Sequence, residues 1–323
     1  MKRRDLLKSA ALAAGACAGL AHAQGPGDYP ARPVTIVVPF AAGGSADVIV
    51  RALAQELSSR WGQAVVVDNR GGGNTVIATN FVAAAPADGY TLLCASYAWV
   101  TNQFLHPKLP YTPAALAPVT LLGTYPEMLF LRADIPATNV AELAAWAKRS
   151  GRPMTFANSG PGSSLHLAAA AFGDAAGIPL THVSYRGSAP AMQDVAGGQV
   201  DAMFEGLTFK SLADGRRIRA MFVAQPKALP EWPELPDARQ AGVADFNMAS
   251  WFGLMAPART PDTVLARIAN DAGAALRKPA LDAQLRKLGL LPAPGTPAEY
   301  AAFLDSERVK LRSVISRNGI TME

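Results

Sequence analysis

The sequence predicts an α/β protein made of two doubly wound units, in which parallel strands alternate with helices. Three observations lead to this prediction. Short β-branched runs alternate with helical patterns along the chain, and glycine-rich turns separate many of them. After a predicted leader, about 300 residues remain, and chains of that size usually divide into two compact units.

A secretory signal peptide is predicted at residues 1–23. Four basic residues stand at its start, and an apolar stretch from 6 to 20 follows that is too short to span a membrane, which takes roughly 20 residues. The small-x-small pattern Ala21-His22-Ala23 places cleavage after Ala23. Because Arg3-Arg4 also fits a twin-arginine signal, both the Sec and the twin-arginine routes stay open. We therefore expect a periplasmic protein.

The mature chain is close to neutral. The leader contains four Lys/Arg and one Asp, and therefore carries three of the five formal positive charges. The remaining charge of about two gives no reason to expect nucleic-acid binding. Cys94 is the one cysteine after residue 23 and lies in an apolar run, which favours a buried thiol over a nucleophile.

The first unit is predicted from residue 34 to residue 95 as a strand-helix alternation. Val34–Val38 is a β-branched run of the kind found in buried parallel strands. The further predicted elements are a helix over Val48–Trp61, a strand over Ala64–Val67, a helix over Val76–Ala85 and a strand over Tyr90–Ala95.

The second unit repeats this plan. Its predicted strands are Met128–Arg132, Met154–Ala157, Thr181–Tyr185 and Ala202–Glu205, and its predicted helices are Val140–Arg149, Ser163–Ala176 and Ala189–Ala196. A last strand is predicted at Ser250–Ala256. Thr260 is expected to cap a helix that starts at Pro261, and two helices over 280–288 and 298–316 complete the chain.

Three glycine-rich turns each join a strand to a helix. They are Phe40–Asp47, Asn158–Ser164 and Tyr185–Pro190. Glycines let main-chain N–H groups approach a ligand, and a helix start adds unpaired donors with partial positive charge. Such turns, at the carboxyl ends of parallel strands, predict a cleft that binds an anion. Hydroxyl donors are expected from Ser45, Ser159, Ser163, Ser164 and Ser188.

Each of these residues has a structural alternative. Ser45, Ser163 and Ser188 are also typical helix caps. Asp47 is either a partner of the helix dipole or a contact to ligand through water. His166, one turn into its helix, is either a ligand contact or a packed, capping histidine.

Sequence signatures of an enzyme are missing. There is no HExxH pattern and no Cys/His cluster with metal-ligand spacing, so no metal or cofactor is expected. Asn158-Ser159-Gly160 is not a nucleophile elbow, because Ala157 takes the place of the first glycine. A periplasmic serine hydrolase using Ser96 or Ser159 with His166 remains as an alternative of a different class.

The chain resembles the Bug receptors, the extracytoplasmic solute receptors of the tripartite tricarboxylate transporter family. The first half carries Val38–Asp47, Asp68-Asn69-Arg70 and Pro86–Leu93. The second half carries Gly160–His166, Thr181–Ala191, Gly197–Asp201 and Trp251–Pro257. Together these segments cover essentially the whole mature chain.

The resemblance implies a two-lobed periplasmic-binding-protein-like fold of type II, with crossover segments as the hinge. Lobe I would hold residues 29–125 and 248–323, and lobe II residues 126–247. A small carboxylate would be bound between the lobes without a catalytic step. The expected binding residues are Phe40, Ala41, Ala42, Gly43, Gly44, Ser45, Asp47, Ser96, Tyr97, Ser159, Gly162, Ser163, Ser164, His166, Tyr185, Gly187, Ser188, Ala189 and Glu205.

The implied partners are the membrane subunits of a tripartite tricarboxylate transporter, served by a monomeric receptor. A receptor that signals to a membrane histidine kinase is the alternative within the same class. The chain departs from the family pattern in three places. These are the loop Gly71–Val76, Glu205-Gly206 where aspartate and asparagine are common, and a segment 207–215 that is about two residues short. Altered ligand specificity is the expectation that follows.

Overall fold

The structure is a computed structural model that describes residues 29–185 and 187–321. The predicted signal peptide and its cleavage site lie outside the described residues. Within them, no helix has the length and apolar character needed to cross a bilayer.

The first sheet contains six strands in the order β11-β4-β10-β3-β1-β2. Strands β1, β2 and β3 are parallel, whereas β10 runs antiparallel to both β3 and β4. The strands are β1 Val34–Val38, β2 Val65–Asn69, β3 Thr91–Ser96, β4 Leu116–Pro126, β10 Ala249–Pro257 and β11 Leu291–Pro292.

The second sheet contains five strands in the order β7-β6-β8-β5-β9. Strands β6, β7 and β8 are parallel, and β5 pairs antiparallel with β8 and β9. The strands are β5 Met128–Arg132, β6 Met154–Asn158, β7 Leu180–Ser184, β8 Ala202–Glu205 and β9 Ile218–Val223.

Ten α-helices cover the two sheets along the described chain. They are α1 Ser45–Trp61, α2 Val76–Ala83, α3 Tyr97–Leu105, α4 Val140–Ser150, α5 Ser164–Ala176, α6 Ser188–Ala196, α7 Lys210–Asp214, α8 Asp262–Leu276, α9 Pro279–Lys287 and α10 Pro297–Arg317. The mixed α/β class and the two-lobed fold predicted from the sequence are confirmed.

Buried apolar side chains of the strands pack against the helices that cover each sheet. In the first sheet, Ile36 and Leu92 pack in one core with residues of α1, α8 and α9. Five phenylalanines form the core of the second sheet, with ring centroids 5.7 to 6.2 Å apart, and they are Phe156, Phe172, Phe204, Phe222 and Phe246. Aromatic pairs at this spacing add to the burial free energy, so the strand ends beside the turns are firmly held.

The chain crosses between the sheets twice. The first crossing is Glu127, between β4 and β5, and the second is the segment 224–248 between β9 and β10. The two crossings are joined by hydrogen bonds, because Ala224 N–H donates to Glu127 C=O (2.7 Å) and Met248 N–H donates to Ala224 C=O (2.8 Å). The backbone of these two crossings must therefore bend when the two sheets move relative to each other.

The predicted elements are present with shifts of one or two residues at most ends. Thr260 is the exception, since the prediction that it caps a helix starting at Pro261 is wrong. Pro261 is still extended, with ψ 139°, and the helix starts at Asp262. Thr260 Oγ1 is therefore one residue too early to cap, and it is buried with no hydrogen-bond partner among the described residues.

The sequence reasoning missed α3, α7, β4, β9 and β11. Helix α3 follows β3 without a glycine or proline, so its start has no local marker. Its apolar residues, including Trp99 and Val100, are buried on several sides and give no clear helical stripe. Strand β4 is eleven residues long and contains two prolines, which argue against a strand in a sequence.

Candidate ligand-binding cleft

Three helices begin at the carboxyl ends of parallel strands. The first turn, residues 40–44, leads from β1 to α1, and the second, residues 159–163, leads from β6 to α5. The third lies between β7 and α6 and contains Tyr185 and Gly187. Each helix start leaves main-chain N–H groups without intrahelical partners. These are the turns from which the sequence predicted an anion site.

In the first turn, Asp47 holds the main chain in place. Its carboxylate accepts hydrogen bonds from Gly43 N–H (2.8 Å), Arg51 Nε (2.9 Å) and Asn69 Nδ2 (2.9 Å). The bond from Arg51 is the main cause that lowers the pKa of Asp47 to about 2, and the other two donors act in the same direction against burial. Asp47 is buried, while residues 41–45 are exposed.

The second turn is closed by Ser163 and His166. The Ser163 hydroxyl accepts from His166 N–H (3.2 Å), which is the predicted helix cap. His166 Nδ1 accepts from Gly162 N–H (3.2 Å), so this amide is already used inside the turn. Burial and the neighbouring His182 ring, 4.4 Å away between centroids, lower the pKa of His166 to about 4. His166 is thus a neutral acceptor that shapes the turn.

Gly162 also marks the contact between the two lobes. Its carbonyl accepts from the Thr101 hydroxyl of α3 (3.2 Å), and a Cβ at this position would lie 2.4 Å from Leu105. Its φ of +73° is a conformation that glycine adopts without strain. Only glycine therefore allows α3 to approach the second turn this closely.

At the third turn, the hydroxyl groups of Tyr185 and Ser188 differ in their hydrogen bonding. The Tyr185 hydroxyl donates to Asp194 in α6 (2.6 Å) and is thereby occupied within the second lobe. Gly187 has a φ of +113°, and α6 begins at Ser188 with no side-chain cap. The same holds for α1, which begins at Ser45 after Gly44. Capping by Ser45 and Ser188 is therefore wrong, and their hydroxyls are available for other contacts.

The hydrogen-bond pattern identifies which amides remain for a ligand. Gly43 and Gly162 donate within their turns, and Gly44 N–H makes only a long bond to Ala41 C=O (3.4 Å). The first residues of α1, α5 and α6 keep N–H groups that helical geometry cannot pair. Because each lies at the positive end of a helix, these groups favour an anion.

Tyr125, at the end of β4, connects the first turn with the second lobe. Its ring covers Gly206, where a Cβ would come within 2.1 Å of it. The hydroxyls of Ser45 and Thr208 lie close enough to the Tyr125 hydroxyl to oppose the effect of burial, which raises the pKa of Tyr125 to about 12. Gly206, one of the departures noted in the sequence, thus has a steric reason.

Two buried carboxyls lie beside the turns. Glu205 ends β8, and its Oε1 accepts from Gly206 N–H (2.8 Å). Glu127 accepts from the Ser250 hydroxyl (2.9 Å), and its Oε2 has no partner among the described residues. Burial, with a smaller contribution from Glu205, raises the pKa of Glu127 to about 8, and burial also raises the pKa of Glu205.

Ser96 and Tyr97 lie at the junction of β3 and α3. Both are buried, and neither hydroxyl has a hydrogen-bond partner in the described part of the chain. Burial, with Glu307 and Glu127 nearby, raises the pKa of Tyr97 well above its ordinary value. Tyr97 is therefore a neutral donor close to the crossover.

The departing loop 71–76 is held against α3. Asn74 and Asn102 exchange hydrogen bonds, with Asn74 Nδ2 to Asn102 Oδ1 at 2.9 Å and Asn102 Nδ2 to Asn74 C=O at 2.7 Å. Thr75 adopts a φ of +75°, which is strained for a β-branched residue. The contacts with α3 hold this conformation.

The structure places two side chains that the sequence reasoning had not selected, Tyr125 and Glu127, beside residues of the predicted turns. Ser45 lies near Tyr125, Tyr125 lies near Glu205, and Glu205 lies near Ser188. Ser164 is likewise close to Glu127. Tyr125 and Pro126 end β4, and Glu127 alone separates β4 from the apolar strand β5. A carboxyl inside an apolar stretch was the sequence signal that could have pointed to Glu127.

The fold is that of a two-lobed solute-binding protein. Residues 49–320 match the family described as the tripartite tricarboxylate transporter family receptor. The chain belongs to this family of extracytoplasmic solute receptors. It is 31% identical over 313 residues to the protein BugT of Bordetella pertussis, covering 95% of this chain and 96% of BugT.

Solved structures show the same relationship. Rpa4515 of R. palustris, determined with adipate, is 33% identical and superposes with a TM-score of 0.82, over 91% of this chain and 100% of that one. MatC of Rhodopseudomonas palustris, determined with bound malate, is 30% identical with a TM-score of 0.76, over 89% and 100%.

The family relationship decides between the functional classes considered from the sequence. The protein is a solute receptor and not an enzyme, so the serine hydrolase alternative is wrong. The geometry explains why His166 does not act as a base. Its Nδ1 is taken by Gly162 N–H, and its low pKa makes it a weak proton acceptor.

Proposed function

We propose that the protein captures a small carboxylate between its two lobes and delivers it to a membrane transporter of the tripartite type. The observation that carries this proposal is the set of unpaired N–H groups at the starts of α1, α5 and α6. Ligands in two related structures, adipate and malate, support a carboxylate as the ligand.

The proposed lobes are residues 29–125 with 248–323, and residues 126–247. Closure is a rotation about the two hydrogen-bonded crossings at Glu127 and Ala224. A carboxylate that bridges the starts of α1, α5 and α6 binds better in the closed form, and this difference in affinity drives closure. Its desolvation is offset by several charge-assisted hydrogen bonds.

The proposed contacts come from the predicted binding residues, which have distinct roles. Ala41, Ala42 and the N–H and hydroxyl groups of Ser45, Ser164 and Ser188 contact the ligand. Asp47, Ser163 and His166 act by holding the turns, because their polar atoms are occupied there. Tyr125 adds a hydroxyl to the wall of the cleft.

The receptor is proposed to be exported by cleavage after Ala23 and to act as a monomer. Delivery to a transporter is favoured over signalling to a histidine kinase because the matching family is named for transport. A deletion strain separates the two. Loss of carboxylate uptake supports transport, whereas normal uptake with loss of a carboxylate-induced transcript supports sensing.

Removing one main-chain N–H tests the site directly. Ser45 is the first residue of α1 and Gly44 before it is extended (ψ 168°), so proline fits there with little strain. Ser45→Pro is expected to weaken carboxylate binding at least tenfold in calorimetry while the free energy of unfolding changes by less than about 0.5 kcal/mol.

Two controls accompany this variant. Ser45→Ala keeps the N–H and removes the hydroxyl, so it is expected to weaken binding less than Ser45→Pro. Asp262→Pro makes the same change at the start of α8, another helix that follows an extended residue, and is expected to leave binding unchanged. Equal affinity of wild type and Ser45→Pro would refute the role of the main-chain donors.

A further inference from the structure

Glu205 is the acidic residue that lies between the third turn and Tyr125. It ends β8 opposite Met128 of β5, and it is 8% exposed. The Ser188 hydroxyl at the start of α6 lies close enough to lower its pKa against the effect of burial. Glu205 in turn raises the pKa of Tyr125, so both groups lie near its carboxyl.

The described residues supply Glu205 with few hydrogen-bond donors. Gly206 N–H donates to Oε1 at 2.8 Å, and the Ser188 hydroxyl is nearby. An ionised carboxylate has about four acceptor sites. Asp47, with three donors at 2.8 to 2.9 Å, shows how a buried carboxylate in the same protein is satisfied. Glu205 therefore retains acceptor capacity next to the helix starts that would bind the ligand.

We propose that Glu205 determines ligand specificity by selecting carboxylates that also carry a hydrogen-bond donor, best an ammonium group and next a hydroxyl group. This inference rests on the proposed function, because it concerns the part of the ligand that lies beyond the carboxylate bound at the helix starts. Its site is the junction of Glu205, Ser188 and Tyr125.

The physical reason is that the described residues use little of the acceptor capacity of Glu205. A ligand ammonium donates a charge-assisted bond to Glu205 and offsets the cost of burying its charge. A hydroxyl donates a weaker, neutral bond. A second ligand carboxylate brings a like charge to the same place and is tolerated only if one of the two groups takes up a proton.

Calorimetry with ligands of one carbon skeleton tests the inference. The first series is succinate, L-malate and L-aspartate, and the second is adipate and L-2-aminoadipate, so that both short and long skeletons are sampled. The series whose members bind the wild type more tightly is used for the comparison. In that series, the amino-bearing ligand is expected to bind the wild type at least tenfold more tightly than the plain diacid.

Glu205→Gln keeps the length of the side chain and removes its charge. This variant is expected to reduce the ratio of the affinities for the amino acid and the plain diacid to less than threefold, mainly because it binds the amino acid more weakly. Glu234→Gln is the matched control, because Glu234 is an exposed residue of the second lobe. The ratio of affinities measured for Glu234→Gln is expected to equal that of the wild type.

The outcomes separate the two proposals. If plain diacids bind the wild type as tightly as the amino acids, or if Glu205→Gln leaves the ratio unchanged, the role of Glu205 is refuted while carboxylate capture stands. If no carboxylate of either series binds, both proposals fail. Should Glu205→Gln not fold, the wild-type ratio decides, and a value below threefold refutes the inference.

Discussion

The first turn and the crossover each bury one carboxyl, and the two carboxyls are shifted in opposite directions. Asp47 receives three hydrogen bonds, one of them from Arg51, and has a pKa of about 2. Glu127 receives one, from a serine hydroxyl, and has a pKa of about 8. Both side chains have little exposed surface, but burial is the main cause that raises the pKa of Glu127, whereas the hydrogen bond from Arg51 is the main cause that lowers the pKa of Asp47. Depth of burial and the supply of donors together decide which carboxyl is charged at neutral pH.

This difference matches the position of each group. A charged Asp47 fixes the main chain of a turn that must present its amides, and Arg51 and Asn69 hold it on the same lobe. A neutral Glu127 lies where the two lobes meet and is not committed to a cationic partner by a direct ion pair. We infer that the turn is rigid, whereas the crossover keeps a side chain whose partners can change on closure.

Asp47→Ala gives the largest expected effect. It leaves Gly43 N–H, Asn69 and Arg51 without their acceptor, and a loss of about 3 kcal/mol in the free energy of unfolding is expected. Urea unfolding at pH 7 measures it. Because the pKa is lowered in the folded state, the contribution of Asp47 is present above pH 4 and is lost as the pH falls towards 2. A variant as stable as the wild type at pH 7 would contradict the comparison.

Glu127→Gln tests the other carboxyl, and it should raise the free energy of unfolding where Asp47→Ala lowers it. The folded state holds a proton between pH 4.5 and pH 8 that the unfolded state has released, so the contribution of Glu127 is lost as the pH rises through about 8. At pH 9 the variant is expected to be about 2 kcal/mol more stable than the wild type.

The control for this variant is the same pair of proteins at pH 4, where Glu127 is protonated in the folded state and largely in the unfolded state. Their difference should then be within about 0.5 kcal/mol. A difference between variant and wild type that stays constant from pH 4 to pH 9 would show that Glu127 does not take up a proton on folding.

Gly206→Ala tests the packing of the Tyr125 ring next to the crossover. The new Cβ would lie 2.1 Å from the Tyr125 ring, while φ of −81° imposes no backbone strain. A loss of about 1.5 kcal/mol is expected from the displaced ring. Gly215→Ala, where the nearest atom is 3.3 Å away, is the control and should change stability by less than about 0.5 kcal/mol. In a Tyr125→Ala background the cost should disappear.

The smallest effect is expected at the helix starts. Ser163→Ala removes the one serine cap among the three turns and should cost about 1 kcal/mol. Ser45→Ala removes a hydroxyl that caps nothing, and should change the free energy of unfolding by less than about 0.3 kcal/mol while weakening ligand binding. Equal losses in thermal unfolding would show that the two serines play the same structural part.

Local patterns were sufficient for most of the fold. The β-branched run at Val34–Val38 and the alternation that follows it predicted β1 and α1, because periodicity and turn residues are properties of neighbouring positions. The same reasoning failed at α3, whose start has no glycine, proline or side-chain cap. It also failed at Thr260, where the direction of the chain after Pro257 decides which residue begins the helix.

The sequence by itself determined the class of protein, through the family resemblance, and the three glycine-rich turns, because turn residues are a local signal; the predicted starts of the three helices were one to three residues away from the observed ones. Only the tertiary structure decided which distant groups reach the turns, since Asn69 of β2 donates to Asp47 and Thr101 of α3 donates to Gly162 C=O. It also decided the state of Asp47 and Glu127. A pKa depends on burial and on donors that distant segments bring together, and neither is written in the local sequence.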